Sequence, residues 1–298
     1  MINTHTLKGT LYVLLSSLMF GSYGVWIKLL GPEFGIFYQA WVKSALVLLV
    51  LIPVAFYTKS WKKIEKKDHK WLFISILLGI CTQVPLYYSF THAGIGISSL
   101  IFFSVFLLTS YLVGWLLVGE EMSKIKIISF IVGLIGLLLT FGLSIKKFSI
   151  LALFAAAMNG VASGGEVSTT KKISDTYPSL EITIFIWFGI LATHLPASLL
   201  FNEKQLMPDI TASWLAMFIY AATGIIGFWA VVEGFKFVDA SIGGLIGLLE
   251  IVFSIGLGVV FFKETVTLSI AAGAVLILLA VALPYLKVKV FIQNEFKS

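Results

Sequence analysis

The chain contains no arginine: its basic side chains are 21 lysines. The planar guanidinium fork that clamps phosphate bidentately is therefore missing, which disfavours a phosphorylated substrate and a nucleic-acid partner. Cysteine occurs once, as Cys81 inside an apolar run, so one chain offers no disulfide framework and no cysteine metal cluster. The four histidines, His5, His69, His92 and His194, are scattered. No H-E-x-x-H, G-x-S-x-G or G-x-x-x-x-G-K-[ST] string is present, so the residues point to no enzyme, no metal or cofactor, and no ATP-driven pump. Charge itself is scarce, at 12% of residues against roughly a quarter in soluble domains.

What fills the chain instead is apolar: 59% of the 298 residues are hydrophobic. Runs long enough to cross a bilayer, about 20 residues each, occur ten times, near 10–30, 35–57, 70–91, 96–118, 125–142, 149–170, 181–201, 212–235, 241–262 and 268–286. The expected fold is an all-α polytopic membrane protein. The segment before residue 10 is short and polar and the first run is too long for a typical signal h-region, so no cleavable signal is expected. The longest connection, Thr58 to His69, is expected to be a solvated, charged loop. With the N-terminus inside, fifteen lysines fall on the cytoplasmic side, five on the other, and Lys43 lies within a span. This bias predicts a protein of the cell (inner) membrane with both termini cytoplasmic.

The chain also repeats itself. Thr91 to Glu120 resembles Phe235 to Glu264 at an offset of 144 residues: in each, a small-residue loop opens a spanning helix that ends at a glutamate. Two units of five helices, 1–144 and 145–298, must insert with opposite orientation because five is odd. Inverted repeats of this kind are an architecture of secondary transporters, with the substrate site near the midplane between them.

One carboxylate stands near the middle of a span. Glu250 sits in SIGGLIGLLEIVFSIGLGVVFFKE, and Gly243, Gly247, Glu250, Ser254 and Gly258 share one helical stripe. An acidic side chain at a helix midpoint costs about 2.5 to 3.5 kcal/mol on insertion scales, so it must face protein or water and marks a candidate functional site. The repeat counterpart of Glu250 is Phe106, so the fold itself does not require the charge.

Four stretches carry a family resemblance. They are Phe20-Gly21-Ser22 ahead of Lys28, Lys43 in the second helix, Gly119-Glu120-Glu121 with Lys263-Glu264, and Leu249-Glu250-Ile251. In this order and spacing the chain resembles the drug/metabolite transporter superfamily, specifically its EamA-like ten-helix members. Ile251 stands where the family carries a proline, which puts the family's kink in question. The resemblance implies a secondary transporter of small metabolites, amino acids, amines or drug-like solutes, frequently outward, without ATP.

Further candidates come from polar residues deep in spans. Lys43 is a possible counter-charge to Glu250 or to an anionic substrate group; its place in the second half is taken by Ile186, on alignment of Pro53 with Pro196. Gln83 and Tyr87 are four apart on the third helix and flank Pro85, which removes a backbone donor. Asn159 precedes the Gly160-xxx-Gly164 close-approach motif. Trp229 stands one turn before Glu233 and could stack on a substrate. Glu166 is expected to pair near Lys171 and Glu233 with Lys236, while Glu120 and Glu264 are expected to cap or pair at helix ends.

The expected function is alternating access, with a cavity between helices 1 to 4 and 6 to 9 and with helices 5 and 10 packing outside. Glu250 would read a cationic group or carry a proton, and Gln83, Tyr87, Asn159, Lys43 and Trp229 would contribute contacts. The expected partners are a small-molecule substrate, the lipid bilayer and protons. Two rivals share the helices: a lipid-carrier flippase, and a non-transporting membrane scaffold.

Overall fold

A computed structural model describes residues 4–93, 95–142 and 149–295. The repeat boundary at 144/145, together with Lys146, Lys147 and Lys297, lies outside the described residues. Ten helices among the described residues are long and apolar enough to cross a membrane. They are α1 (Thr4–Leu30), α2 (Ile36–Tyr57), α3 (His69–Ala93), α4 (Gly96–Val118), α5 (Lys124–Phe141), α6 (Ile150–Ser174), α7 (Ser179–Leu200), α8 (Ala212–Phe235), α9 (Ala240–Phe262) and α10 (Leu268–Leu286). A backbone in hydrocarbon must satisfy its own hydrogen bonds, which is why every apolar run became a helix. The ends agree with the hydropathy runs within a few residues, except that α1 begins six residues before its run and α6 continues four beyond. Both extensions are polar, and hydropathy does not see a helix that continues past the hydrocarbon.

The loop after α2 is tied down at several points. Glu181 on α7 accepts the Lys62 N–H at 3.1 Å, and the Tyr177 hydroxyl accepts the Glu65 N–H at 3.0 Å while donating to Asp68 at 2.8 Å. The expectation of a merely solvated loop is thereby corrected: its charges face water, but its backbone is fastened to the start of α7.

Packing follows a pseudo-two-fold arrangement. The pairs α2 with α7 and α5 with α10 bring equivalent helices of the two repeats together. The pair α1 with α8 mirrors α6 with α3, and α1 with α9 mirrors α6 with α4. Each repeat therefore lends its first helix to the other. Glycine permits the closest of these approaches, since a Cβ on Gly160 would stand 2.7 Å from the Phe102 carbonyl oxygen and one on Gly164 would stand 2.6 Å from that of Phe106. The Gly160-xxx-Gly164 motif thus seats α6 on α4.

Three helices are interrupted near mid-span: α1 at Ser22, α3 at Cys81 and Thr82, and α9 at Leu248. The α9 break needs no proline. Leu248 N–H bonds to Leu245 and Ile251 N–H to Leu248, both at 3.1 Å, so the chain tightens into three-residue turns just ahead of Glu250. Irregular backbone at this depth is tolerated where it lies against protein or a cavity.

Candidate functional site

A cavity of about 350 Å³ lies among the interrupted helices. On α1 its wall includes Phe20, Gly21 and Tyr23; on α9 it includes Gly247, Glu250 and Ser254. The two breaks nest, because a Cβ on Gly21 would stand 2.7 Å from the Glu250 carbonyl oxygen. The Ser17 hydroxyl, 3.1 Å from the Ile246 carbonyl, fastens α1 to the turn before the α9 break. Glu250 is partly buried, and among the described residues its carboxylate has no hydrogen bond or ion pair.

Gln83 and Asn159 share this cavity. Gln83 donates to Thr82 Oγ1 at 3.2 Å, and Asn159 Oδ1 accepts from Ser163 at 3.1 Å, so each polar group is held at the wall by a neighbour that also lines it. Three other candidates do not line it. Tyr87 falls outside because the lining face of α3 runs through Gln83, Leu86 and Phe90; Tyr87 sits on the other flank and lines a separate cleft with Lys28 and Glu203. Trp229 falls outside because Phe228, Val231 and Phe235 form the α8 face at the cavity, which turns its indole onto Tyr12, edge to face at 5.4 Å. Lys43 is screened by Tyr23 and Trp187, both of which line the wall. Its ammonium sits 3.9 Å from the Tyr23 ring centroid and 3.5 Å from that of Tyr220.

The helix roles change accordingly. No residue of α2 lines the cavity, whereas Thr140 and Phe141 of α5 and Ile270 of α10 do. Sequence reasoning also misassigned Glu166, which lines the cavity and makes no ion pair among the described residues. Lys171, its expected partner, goes to Glu120 at 3.3 Å. A usable signal was present: Asn159, Ser163 and Glu166, at steps of four and three, form one helical stripe. Glu233 does pair with Lys236, at 2.7 Å.

The two ends of the bundle differ. At the face carrying the N-terminus, the buried Glu120 carboxylate accepts the Ala240 N–H, the Ser241 N–H at 3.2 Å and the Ser241 hydroxyl at 2.9 Å. It thereby caps α9, where a carboxylate also complements the helix dipole. Lys126 adds a 2.8 Å bridge to Asp239 beside it. At the opposite face the repeat counterpart, Glu264, lines the cavity, and its one ion pair among the described residues is with Lys28, at 3.7 Å, both side chains being more than half exposed. Contacts tell the same story: α6 packs on α8 and on the first turns of α9 near the N-terminal face, while the mirror pairs α1 with α3 and α1 with α4 show no comparable packing among the described residues. The cavity is closed towards the N-terminal face and opens towards the other.

Ten helices long and apolar enough to cross a membrane, in an inverted repeat with a cavity between the repeats, define the class as a membrane transporter. Family comparison makes this specific. The profile of the EamA-like transporter family matches residues 7–142 and 149–286, and the chain belongs to that family, within the drug/metabolite transporter superfamily. Its members are transporters and not enzymes. A solved structure described only as the crystal structure of a protein shares the fold, with a TM-score of 0.79 over 95% of this chain and 98% of that one, at 18% identity. No curated protein sequence gives a significant match.

Proposed function

We propose that the protein is a secondary active transporter of small solutes, working by alternating access and exporting its substrate. The observation that carries this reading is a midplane cavity containing an unpaired carboxylate, Glu250, closed at one end of the bundle and open at the other. With the lysine bias placing both termini in the cytoplasm of a cell (inner) membrane protein, the open end faces outward. Glu250 reads a cationic group or carries a proton; Gln83 and Asn159 supply neutral polar contacts. Lys43 acts at one remove, by holding the Tyr23 ring at the wall, while Tyr87 and Trp229 support α3 and α8 from behind.

No lysine lines the cavity, and the chain has no arginine, so the described wall offers no cation to a lipid phosphate. This favours a soluble solute over a lipid carrier. Counterflow in proteoliposomes loaded with a pool of amino acids and small amines tests the proposal. The wild type is expected to exchange solute, and Glu250→Gln to lose at least tenfold in rate or to lose its response to pH. A variant equal to wild type on both counts removes Glu250 from the mechanism, and a wild type that moves nothing favours the scaffold.

A further inference from the structure

We infer that the cavity is a two-carboxylate cation site, with Glu166 as the second acid, and that its substrate is an organic amine with an apolar or aromatic body. The inference rests on the transporter reading above and specifies what that site would take.

Glu166 and Glu250 come from different helices, α6 and α9, yet line the same cavity. Glu264, a third acid on its wall, is more than half exposed and has Lys28 at 3.7 Å, so the two acids without an ion pair on this wall are Glu166 and Glu250 among the described residues. Glu166 is 4% exposed, and its Oε1 has no hydrogen-bond partner. The carboxylate lies against the backbone of Gly79, where a Cβ would stand 2.6 Å from Oε1; only a bare glycine leaves it this room. Tyr23 lines the same cavity. A buried, unpartnered carboxylate is costly unless a positive group arrives to offset it.

The protein keeps its own cations away. No lysine or histidine lines the cavity. The buried ammonium of Lys43 is held in the ring cage of Tyr23, Tyr220 and Trp187, and Lys171 is committed to Glu120. The missing counter-charge must therefore come with the ligand. Phe20, Phe102, Phe106, Trp187 and Phe228 also line the wall, and aromatic rings suit both an alkylammonium and an attached ring. A volume of about 350 Å³ lies at the small end of ligand sites and fits one ring with a short side chain. An anion of similar size meets carboxyl groups and no basic side chain on the wall.

Thermal unfolding of the purified protein in detergent, with three probes that share a phenethyl group, tests this. Phenethylamine is expected to stabilise the wild type, whereas 3-phenylpropionate and 2-phenylethanol leave it unchanged. Glu166→Gln is expected to weaken the apparent affinity for phenethylamine about tenfold, the usual effect of removing one charged hydrogen-bond partner. Equal stabilisation by the anion or the alcohol, no stabilisation by the amine, stabilisation by sodium or potassium in place of the amine, or unchanged affinity in Glu166→Gln would each overturn the inference. Should Glu166→Gln fail to fold, the wild-type comparison of amine with anion decides alone. Counterflow with the same probes separates the two proposals. Charge-selective binding without counterflow removes the transporter reading and leaves the cation site, whereas counterflow of 3-phenylpropionate in preference to phenethylamine does the reverse.

Discussion

Lys43 shows how a single side chain can be visible in the sequence and still have an unforeseen role. A lysine within a span was an evident candidate, but periodicity cannot show that Tyr23, Trp187 and Tyr220, from three other helices, close around it. The ammonium is fully buried and its Nζ has no hydrogen bond, so the ring faces offset only part of its lost hydration. We expect Lys43→Met, an unbranched side chain one atom shorter and without the charge, to raise stability by roughly 1 to 3 kcal/mol, as when other buried charges are replaced by apolar groups. Thermal unfolding in detergent checks this, and an equally large fall would show that the cage more than compensates the burial. Glu250 was legible because a charge in an apolar run is rare and costly. Glu166 was not: sequence proximity paired it with Lys171, and folding gave that lysine to Glu120.

At the scale of the helix, the small residues were the most legible signal. Gly160 and Gly164 announce a close approach, and the fold supplies the partner, α4, whose Phe102 and Phe106 carbonyls occupy the space a side chain would need. Gly164→Leu should force α6 off α4 and cost about 1 to 3 kcal/mol or more through overpacking, read as a lower unfolding temperature and a loss of monodisperse protein on gel filtration. A variant as stable as wild type would mean that α6 can shift without penalty. The α9 break was less legible. Its usual proline is replaced by Ile251, yet the helix is interrupted at Leu248, where Ser17 from α1 reaches the Ile246 carbonyl.

Over the whole molecule, symmetry and its violation define the state observed. Gly119 at φ 83° and Lys263 at φ 55° make the same left-handed turn after α4 and α9, and each is followed by a glutamate whose N–H reaches back to a glycine carbonyl, Gly114 at 2.9 Å or Gly258 at 3.3 Å. Only Glu120 has then found a helix to cap; Glu264 remains at an open end. Glu120→Gln removes the charge from that capped junction. Losing one charge-assisted hydrogen bond, about 1.5 to 3 kcal/mol, should raise the population open at the N-terminal face about tenfold or more. With Cys81 replaced by serine, labelling of a cysteine introduced at Ser17 by an impermeant maleimide from that face measures the change. Labelling no faster than in the parent would show that Glu120 does not hold the face shut. A reporter fused to the C-terminus tests orientation separately: activity only on the cytoplasmic side is expected.

Composition and periodicity determined the solvent and the number of spans, because a bilayer makes every apolar run solve the same backbone problem in the same way, and the likeness of Thr91–Glu120 to Phe235–Glu264 gave the inverted repeat. They also marked Glu250, Gln83 and Asn159, whose polarity is out of place at that depth. Tertiary structure decided which of the polar residues meet. Whether Lys43 faces a substrate or a cage of rings, whether Lys171 pairs with Glu166 or Glu120, and which end of the cavity is shut all depend on how helices distant in sequence rotate and pack against one another. Side-chain partners within a span are set by that packing, and no spacing along one helix contains it.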